Sequence, residues 1–260
     1  MNSEQKKNVL LRLRNISKHF GSVTALDKVS IEIYEDEIVG LVGDNGAGKS
    51  TMIKIISGNI APDEGSLYYK EKEIHLKNPS DARKLGIETV YQDLAICNNL
   101  DSVSNLFISR EIYKNVLGLS VLNVNEMKNR AKKIFDKVGI HIPSLSEKVE
   151  YLSGGQRQAV VLGRFIEWGK KIILLDEPTA ALGVRETRKV LDLIKQVKNE
   201  RRDASIMFIS HNLQQIFEIV DRIIVMRHGK IIGVRDTKKT DTDEIVSMIT
   251  GAIFVDKSTR

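Results

Sequence analysis

Residues 43–51 read Gly-Asp-Asn-Gly-Ala-Gly-Lys-Ser-Thr, and no other run constrains the fold of this chain as tightly. Glycines at 43, 46 and 48 permit a backbone that turns sharply enough to aim successive N–H groups into one concavity. A concavity of that kind holds a dense anion such as a nucleotide triphosphate. Asp44, Asn45 and Ala47 fill the loop between the glycines, Lys49 brings a mobile cation to the β and γ phosphates, and the Ser50 hydroxyl, beside Thr51, is placed to ligate Mg²⁺. The flanks fit a strand–loop–helix unit. Glu37-Ile38-Val39-Gly40-Leu41-Val42 is a short apolar run, and Ser50 to Ser57 carries Met52, Ile53, Ile55 and Ile56 at helical spacing. A helix N-terminus then lies under the phosphates, where its dipole favours negative charge.

Two further apolar runs end in residues able to do chemistry. Lys171-Ile172-Ile173-Leu174-Leu175-Asp176-Glu177 reads as a buried parallel strand delivering two carboxylates to its C-terminal edge. Asp176 would hold Mg²⁺ through water, and Glu177 would polarise the attacking water. Ser205-Ile206-Met207-Phe208-Ile209-Ser210 delivers His211 in the same way. Between these and the first loop lies Leu152-Ser153-Gly154-Gly155-Gln156, opening a helix that runs to about Trp168. Its N–H groups and the Ser153 hydroxyl form a second anion-binding end. The chain thus carries two phosphate-binding devices and one P-loop.

Six elements in this order, Phe20, Gly43 to Thr51, Gln92, Leu152 to Gln156, Asp176 with Glu177, and His211, span most of residues 9–235 and resemble the ATP-binding subunit of an ABC transporter. The resemblance implies an α/β P-loop NTPase of the ABC ATPase fold, with a RecA-like parallel core, an N-terminal antiparallel β subdomain and an inserted helical subdomain. It implies one domain over residues 1–260, with the helical subdomain at about 93–164 and the nucleotide-binding core at about 1–92 and 165–260. Phe20 would stack on adenine, Gln92 would reach Mg²⁺ with Ser50 and Asp176, and His211 would contact the γ phosphate and orient Glu177. The second anion-binding end gains a use as well. Two copies would pair head to tail, each sandwiching ATP between its own P-loop and its partner's Ser153, Gly154, Gly155 and Gln156. Integral membrane permease subunits would dock near Gln92 and the helical subdomain, with a secreted sugar-binding protein as an indirect partner.

Two departures from the family pattern are informative. After Pro178-Thr179 the usual Ser-Ala-Leu-Asp becomes Ala180-Ala181-Leu182-Gly183, which removes a carboxylate and speaks against an Asp-mediated contact across the dimer there. The segment from Glu177 to Val184, together with Tyr91 to Ala95 and Asn99-Leu100-Asp101 through Asn105-Leu106-Phe107, is similar to importers of simple sugars such as ribose, xylose or fructose. Many of those ATPases are two fused cassettes. A single set of intact motifs instead implies a homodimer with two equivalent sites. A soluble ABC ATPase without a membrane partner would usually carry two cassettes and a charged linker, and a DNA-repair relative a long coiled coil. A non-sugar substrate or an exporter stays open, because residues that touch only ATP encode neither cargo nor direction.

Composition sets the remaining expectations. The net charge of +6 is dispersed, with Arg227, Lys230, Arg235, Lys238 and Lys239 late in the chain, and reads as a solvated face. With aromatics at 5%, no basic stripe pairs with stacking rings, so no nucleic-acid partner is expected. No apolar stretch approaches the length of a membrane helix, and Met1 to Leu10 is too polar for a signal peptide. The expected location is peripheral, on the cytoplasmic face of the membrane. Cys97, the one cysteine, is an ordinary thiol, and His19, His75, His141 and His228 are structural. Alternation predicts strands at Val9 to Asn15, Val29 to Tyr34 and Gly65 to Tyr69. Helix is expected from about Asp93 to Arg164, notably Asn125 to Val138, and again at Asp241 to Thr250.

Overall fold

The structure is a computed structural model that describes residues 8–252 apart from 92–95, 140, 169, 181 and 202–203. The described residues form two compact units, one drawn from 1–89, 170–177 and 198–260 and the other from 90–169 and 178–197.

In the first unit, β1 (Val9–Phe20) and β2 (Val23–Tyr34) form a long hairpin around Gly21 and Ser22. Each strand is longer than the alternation predicts. The register slips between Leu13 and Ile16, with Asn15 in the left-handed region (φ 51°), and this bulge ends the simple period of two. With β4 (Glu64–Tyr69) and β5 (Lys72–Ile74), they make an antiparallel sheet in the order β2-β1-β4-β5.

The second sheet of this unit comprises β3 (Ile38–Val42), β6 (Ile87–Val90), β9 (Ile172–Asp176), β10 (Ser205–Ile209), β11 (Arg222–Arg227) and β12 (Lys230–Asp236). Their order is β12-β11-β3-β10-β9-β6. Strands β11, β3, β10 and β9 run parallel, and every residue of β3, β9 and β10 is buried. That is why these segments read as unbroken apolar runs rather than alternating ones. Helices α1 (Lys49–Ile56), α2 (Pro79–Lys84), α7 (Leu213–Ile219) and α8 (Thr242–Thr250) belong with them. A buried ion pair ties the N-terminal ends of the strands together. The fully buried Glu37 carboxylate accepts from Arg222 Nη2 at 2.8 Å and from the Tyr34 N–H at 2.7 Å. Arg222 also donates to the Glu32 carbonyl at 2.6 Å and lies over the Tyr34 ring at 4.6 Å.

The second unit holds α3 (Ser102–Phe107), a hairpin of β7 (Tyr113–Val116) and β8 (Leu119–Leu122), α4 (Val124–Val138), α5 (Gly154–Trp168) and most of α6 (Val184–Glu200). The stripe Met127, Ala131, Ile134, Phe135 and Val138 is buried as its spacing requires. Gly163 permits close helix approach: a Cβ there would sit 3.0 Å from Ile134 Cγ2 and 3.1 Å from Leu106 Cδ1. Asn105, wholly buried, donates to the carbonyls of Cys97, Leu100 and Asp101 and accepts from the Cys97 N–H, pinning the loop before α3.

The hairpin interrupts the run expected to be helical. Tyr113 pairs with Leu122 and Val116 with Leu119, around a turn with Leu117 (φ 54°) and Gly118 (φ 84°) in left-handed conformations. All eight strand residues are exposed, so burial gave no alternation to read. Among the described residues, no helix is long and apolar enough to cross a membrane.

Replacing Arg222 with Met should leave the buried Glu37 carboxyl without its cationic partner. The expected loss, measured by urea unfolding, is about 3–5 kcal/mol.

Candidate nucleotide site

Strand register brings the catalytic candidates to one edge. In the parallel ladder, Ile209 of β10 lies beside Leu41 of β3 on one side and Asp176 of β9 on the other. The residues that follow therefore leave the sheet at the same level: Gly43 one residue beyond β3, Glu177 after β9, and Ser210 with His211 after β10. The carboxyl edge of a parallel sheet is the common location for ligand sites in such folds.

The loop glycines do different jobs. A Cβ on Gly43 would fall 2.3 Å from the Met226 carbonyl oxygen and one on Gly48 would fall 2.6 Å from that of Ala25, so both are required by packing. Gly46 has open space around it but a φ of 79°, which an L side chain rarely adopts. Helix α1 starts from Gly48 without a side-chain cap, so its first N–H groups are turned toward the loop with no side-chain acceptor of their own. The Lys49 ammonium donates to the Gly43 carbonyl at 2.6 Å and the Asp44 carbonyl at 2.9 Å. Burial pushes its pKa down, against the pull of Glu177, Asp176 and Asp44.

Asp176 is 6% exposed. Burial raises its pKa, and the neighbouring Glu177 charge raises it further; Lys49, Lys54 and a hydrogen bond from Ser50 act in the opposite direction. Glu177 is held in the left-handed region (φ 48°), an uncommon conformation for a residue with a side chain. Its N–H donates to the Ile209 carbonyl at 3.0 Å, and that bond to the neighbouring strand maintains the turn. The Glu177 Oε2 lies 3.3 Å from His211 Nδ1. Just beyond, Asn212 caps α7 by accepting from the Gln214 and Gln215 N–H groups, and its own N–H donates to Ser210 Oγ. Asn212 is a positioning group that the motif reading passed over; an Asn directly before an apolar helical run is its sequence signal.

Phe20 ends β1 with half its surface exposed and the Lys18 ammonium 5.8 Å from its ring centre. Gln92 lies outside the described residues. Ser153 to Gln156 belong to the second unit and form a reciprocal cap at the start of α5. The Gln156 N–H donates to Ser153 Oγ at 3.3 Å, and the Ser153 N–H donates to Gln156 Oε1 at 2.9 Å. The Gln156 amide also donates to the His141 carbonyl at 3.1 Å. Gln156 thus shapes the helix start, while the open flank of Gly154, where a Cβ would meet nothing within 4 Å, leaves room beside it.

A P-loop, a carboxylate pair at a strand end, a histidine beside the second carboxylate and a second helix start, capped by Ser153 and Gln156, define a P-loop ATPase. The chain belongs to the ABC transporter family, whose model matches residues 26–180. It is 47% identical to the xylose/arabinose import ATP-binding protein of Sulfolobus acidocaldarius over 93% of this chain and 94% of that one. It is 43% identical to the fructose import ATP-binding protein of Rhizobium meliloti over 94% of each. Among solved structures it is similar to a dimeric ATP-binding cassette in a post-hydrolysis state bound to ADP and Pi, at a TM-score of 0.75 and 25% identity, covering 89% of this chain and all of that one. The chain is an ATP-binding, ATP-hydrolysing transporter subunit with the ABC ATPase fold.

Because burial holds the Asp176 pKa above its unfolded value, the native state binds that proton more tightly than the unfolded chain. Ionisation at neutral pH therefore costs stability. Asp176→Asn should melt higher than the wild type at pH 7 in nucleotide- and metal-free buffer, and the gap should close as pH falls below the ordinary aspartate range.

Proposed function

We propose that two copies of this chain form an ATP-driven clamp that powers import of a monosaccharide through membrane permease subunits. The observation that carries this reading is that the two phosphate-binding devices fall in different compact units. The P-loop, Asp176, Glu177 and His211 are gathered in the first unit, and the capped Ser153 segment belongs to the second. A head-to-tail pair gives each Ser153, Gly154, Gly155 and Gln156 an ATP held by the partner's P-loop. The similarity to a dimeric cassette with ADP and Pi supports pairing, and the two import ATP-binding proteins support the substrate class.

Within each site, Gly43 to Thr51 cradle the triphosphate and Phe20 stacks on adenine. Ser50, Asp176 and Gln92 are the residues that would hold Mg²⁺. The donor set fits: the buried Asp176 carboxylate and the Ser50 hydroxyl are the hard oxygen donors that Mg²⁺ prefers beside substrate phosphates. When bound, Mg²⁺ neutralises charge on the β and γ oxygens. Glu177 accepts the proton of the attacking water from a position set by its strained backbone, and His211 orients it. The two units work as one cassette, and the permease subunits dock near Gln92 and the helical portion at about 93–164. A secreted sugar-binding protein delivers the cargo. Coupling requires that ATP bind the closed pair more tightly than the open chains, since only differential affinity moves an equilibrium.

Glu177→Gln should lower hydrolysis by about 10²–10⁴-fold while leaving ATP affinity intact, and with ATP it should accumulate as dimers on a sizing column. Equal losses in binding and hydrolysis would contradict its role as base. Isolation from native membranes in mild detergent should recover a polytopic permease, and a monosaccharide-loaded binding protein should stimulate ATP turnover. Recovery of soluble partners alone would refute the transport reading.

A further inference from the structure

The end of β1 that carries Phe20 is held from two sides. On one side it pairs with β2, Lys18 opposite Leu26 and Phe20 opposite Val23. Next to Leu26, the Asp27 N–H donates to the Gly229 carbonyl at 2.9 Å, and the Gly229 N–H donates to the Ala47 carbonyl at 3.1 Å. Two backbone hydrogen bonds in series therefore moor this part of the hairpin to the P-loop. On the other side stands Asp63, the residue before β4. Its N–H donates to the Ser17 carbonyl at 2.9 Å. Its carboxylate accepts from the Lys18 ammonium at 2.6 Å and from the His19 N–H at 2.7 Å, and lies 3.4 Å from His19 Nδ1. Asp63 thus grips the three residues that precede Phe20, Ser17 and His19 through their backbones and Lys18 through its charge.

The Lys18 ammonium held in this way stands over the Phe20 ring, 5.8 Å from its centre, and so occupies one face of a half-exposed aromatic. Lys18 and the His19 N–H keep the Asp63 carboxyl below its ordinary range, so it is ionised at neutral pH. An ion pair whose carboxylate side chain is 38% exposed adds little to global stability, and its effect is local.

We propose that Asp63 is a positioning residue for nucleotide binding: by gripping Ser17, Lys18 and His19 it sets the end of β1 so that Phe20 has a cation on one face and leaves the other for the adenine ring. This inference rests on the reading that Phe20 stacks on adenine. Without the Asp63 carboxylate, β1 still pairs with β2 and the mooring at Gly229 remains, so the sheet persists. The ring would then have to be ordered on binding, which weakens affinity for the base and spares the phosphate cradle.

A double-mutant cycle on nucleotide affinity, read by titration calorimetry on the intact chain, tests this. Phe20→Ala should weaken ADP binding roughly 10-fold, and Asp63→Ala about 5-fold. Inorganic pyrophosphate, which has no base, should bind both variants within about 2-fold of wild type. In the Phe20→Ala background, Asp63→Ala should cost less than a further factor of about 2, because it acts through the ring. Lys18→Met, which keeps the stem and removes the charge, should weaken ADP about 3-fold and enters the same cycle, so it decides the matter if Asp63→Ala does not fold. Equal losses for ADP and pyrophosphate, multiplicative losses in the double variant, or an unchanged Kd for ADP in Asp63→Ala would each overturn the proposal. The reading beneath it fails separately. Phe20→Ala with wild-type ADP affinity refutes stacking itself, whereas a clear loss in Phe20→Ala with a multiplicative cycle refutes only the role of Asp63.

Discussion

Parallel pairing of three fully buried strands is the constraint on which the site depends. Because β3, β10 and β9 are hydrogen-bonded in a fixed register, Leu41, Ile209 and Asp176 lie side by side, and the three loops that follow start from one level. A one-residue slip of β9 would turn the alternate set of side chains toward each face and carry Asp176 and Glu177 away from the P-loop. The apolar content of these strands does more than fill a core. Since every residue of the three is buried, register errors expose or crowd large side chains, and the chemistry inherits that precision.

The edge that results is electrostatically tense. Asp176 and Glu177 adjoin with little solvent, Lys49 is drawn onto two backbone carbonyls, and Glu177 occupies a left-handed conformation held by an N–H bond to the adjacent strand. None of these is the arrangement that stability alone would select. In the proposed site, a triphosphate with a divalent cation would give Lys49 a stronger anionic partner and Asp176 a counter-charge. Stability is built elsewhere, in the Glu37–Arg222 pair at the opposite ends of the strands and in the helix packing around Gly163. This division matches the general pattern in which functional sites hold strain that the scaffold bears.

Much of this was legible in the sequence because the relevant patterns are local. Strands β3, β9 and β10 announce themselves as unbroken apolar runs, the P-loop by its glycines, and α4 by the spacing of Met127, Ala131, Ile134, Phe135 and Val138. What escaped depends on distant partners or on the absence of burial. The bulge at Asn15 hid the second half of β1 and the first half of β2, and the exposed β7–β8 hairpin offered no buried face to read. Nothing near Glu37 in the sequence points to its partner Arg222, which only the fold brings to it.

The central claim is that a complete ATP site needs two chains, the P-loop of one and the Ser153 segment of the other. Turnover per chain, measured over a dilution series that spans the monomer–dimer transition, tests it most directly. Turnover should rise with concentration as paired chains form and reach a plateau once pairing is complete. Turnover per chain that stays constant into the range where sizing detects only monomers would show that one chain completes the site by itself, and would contradict the account.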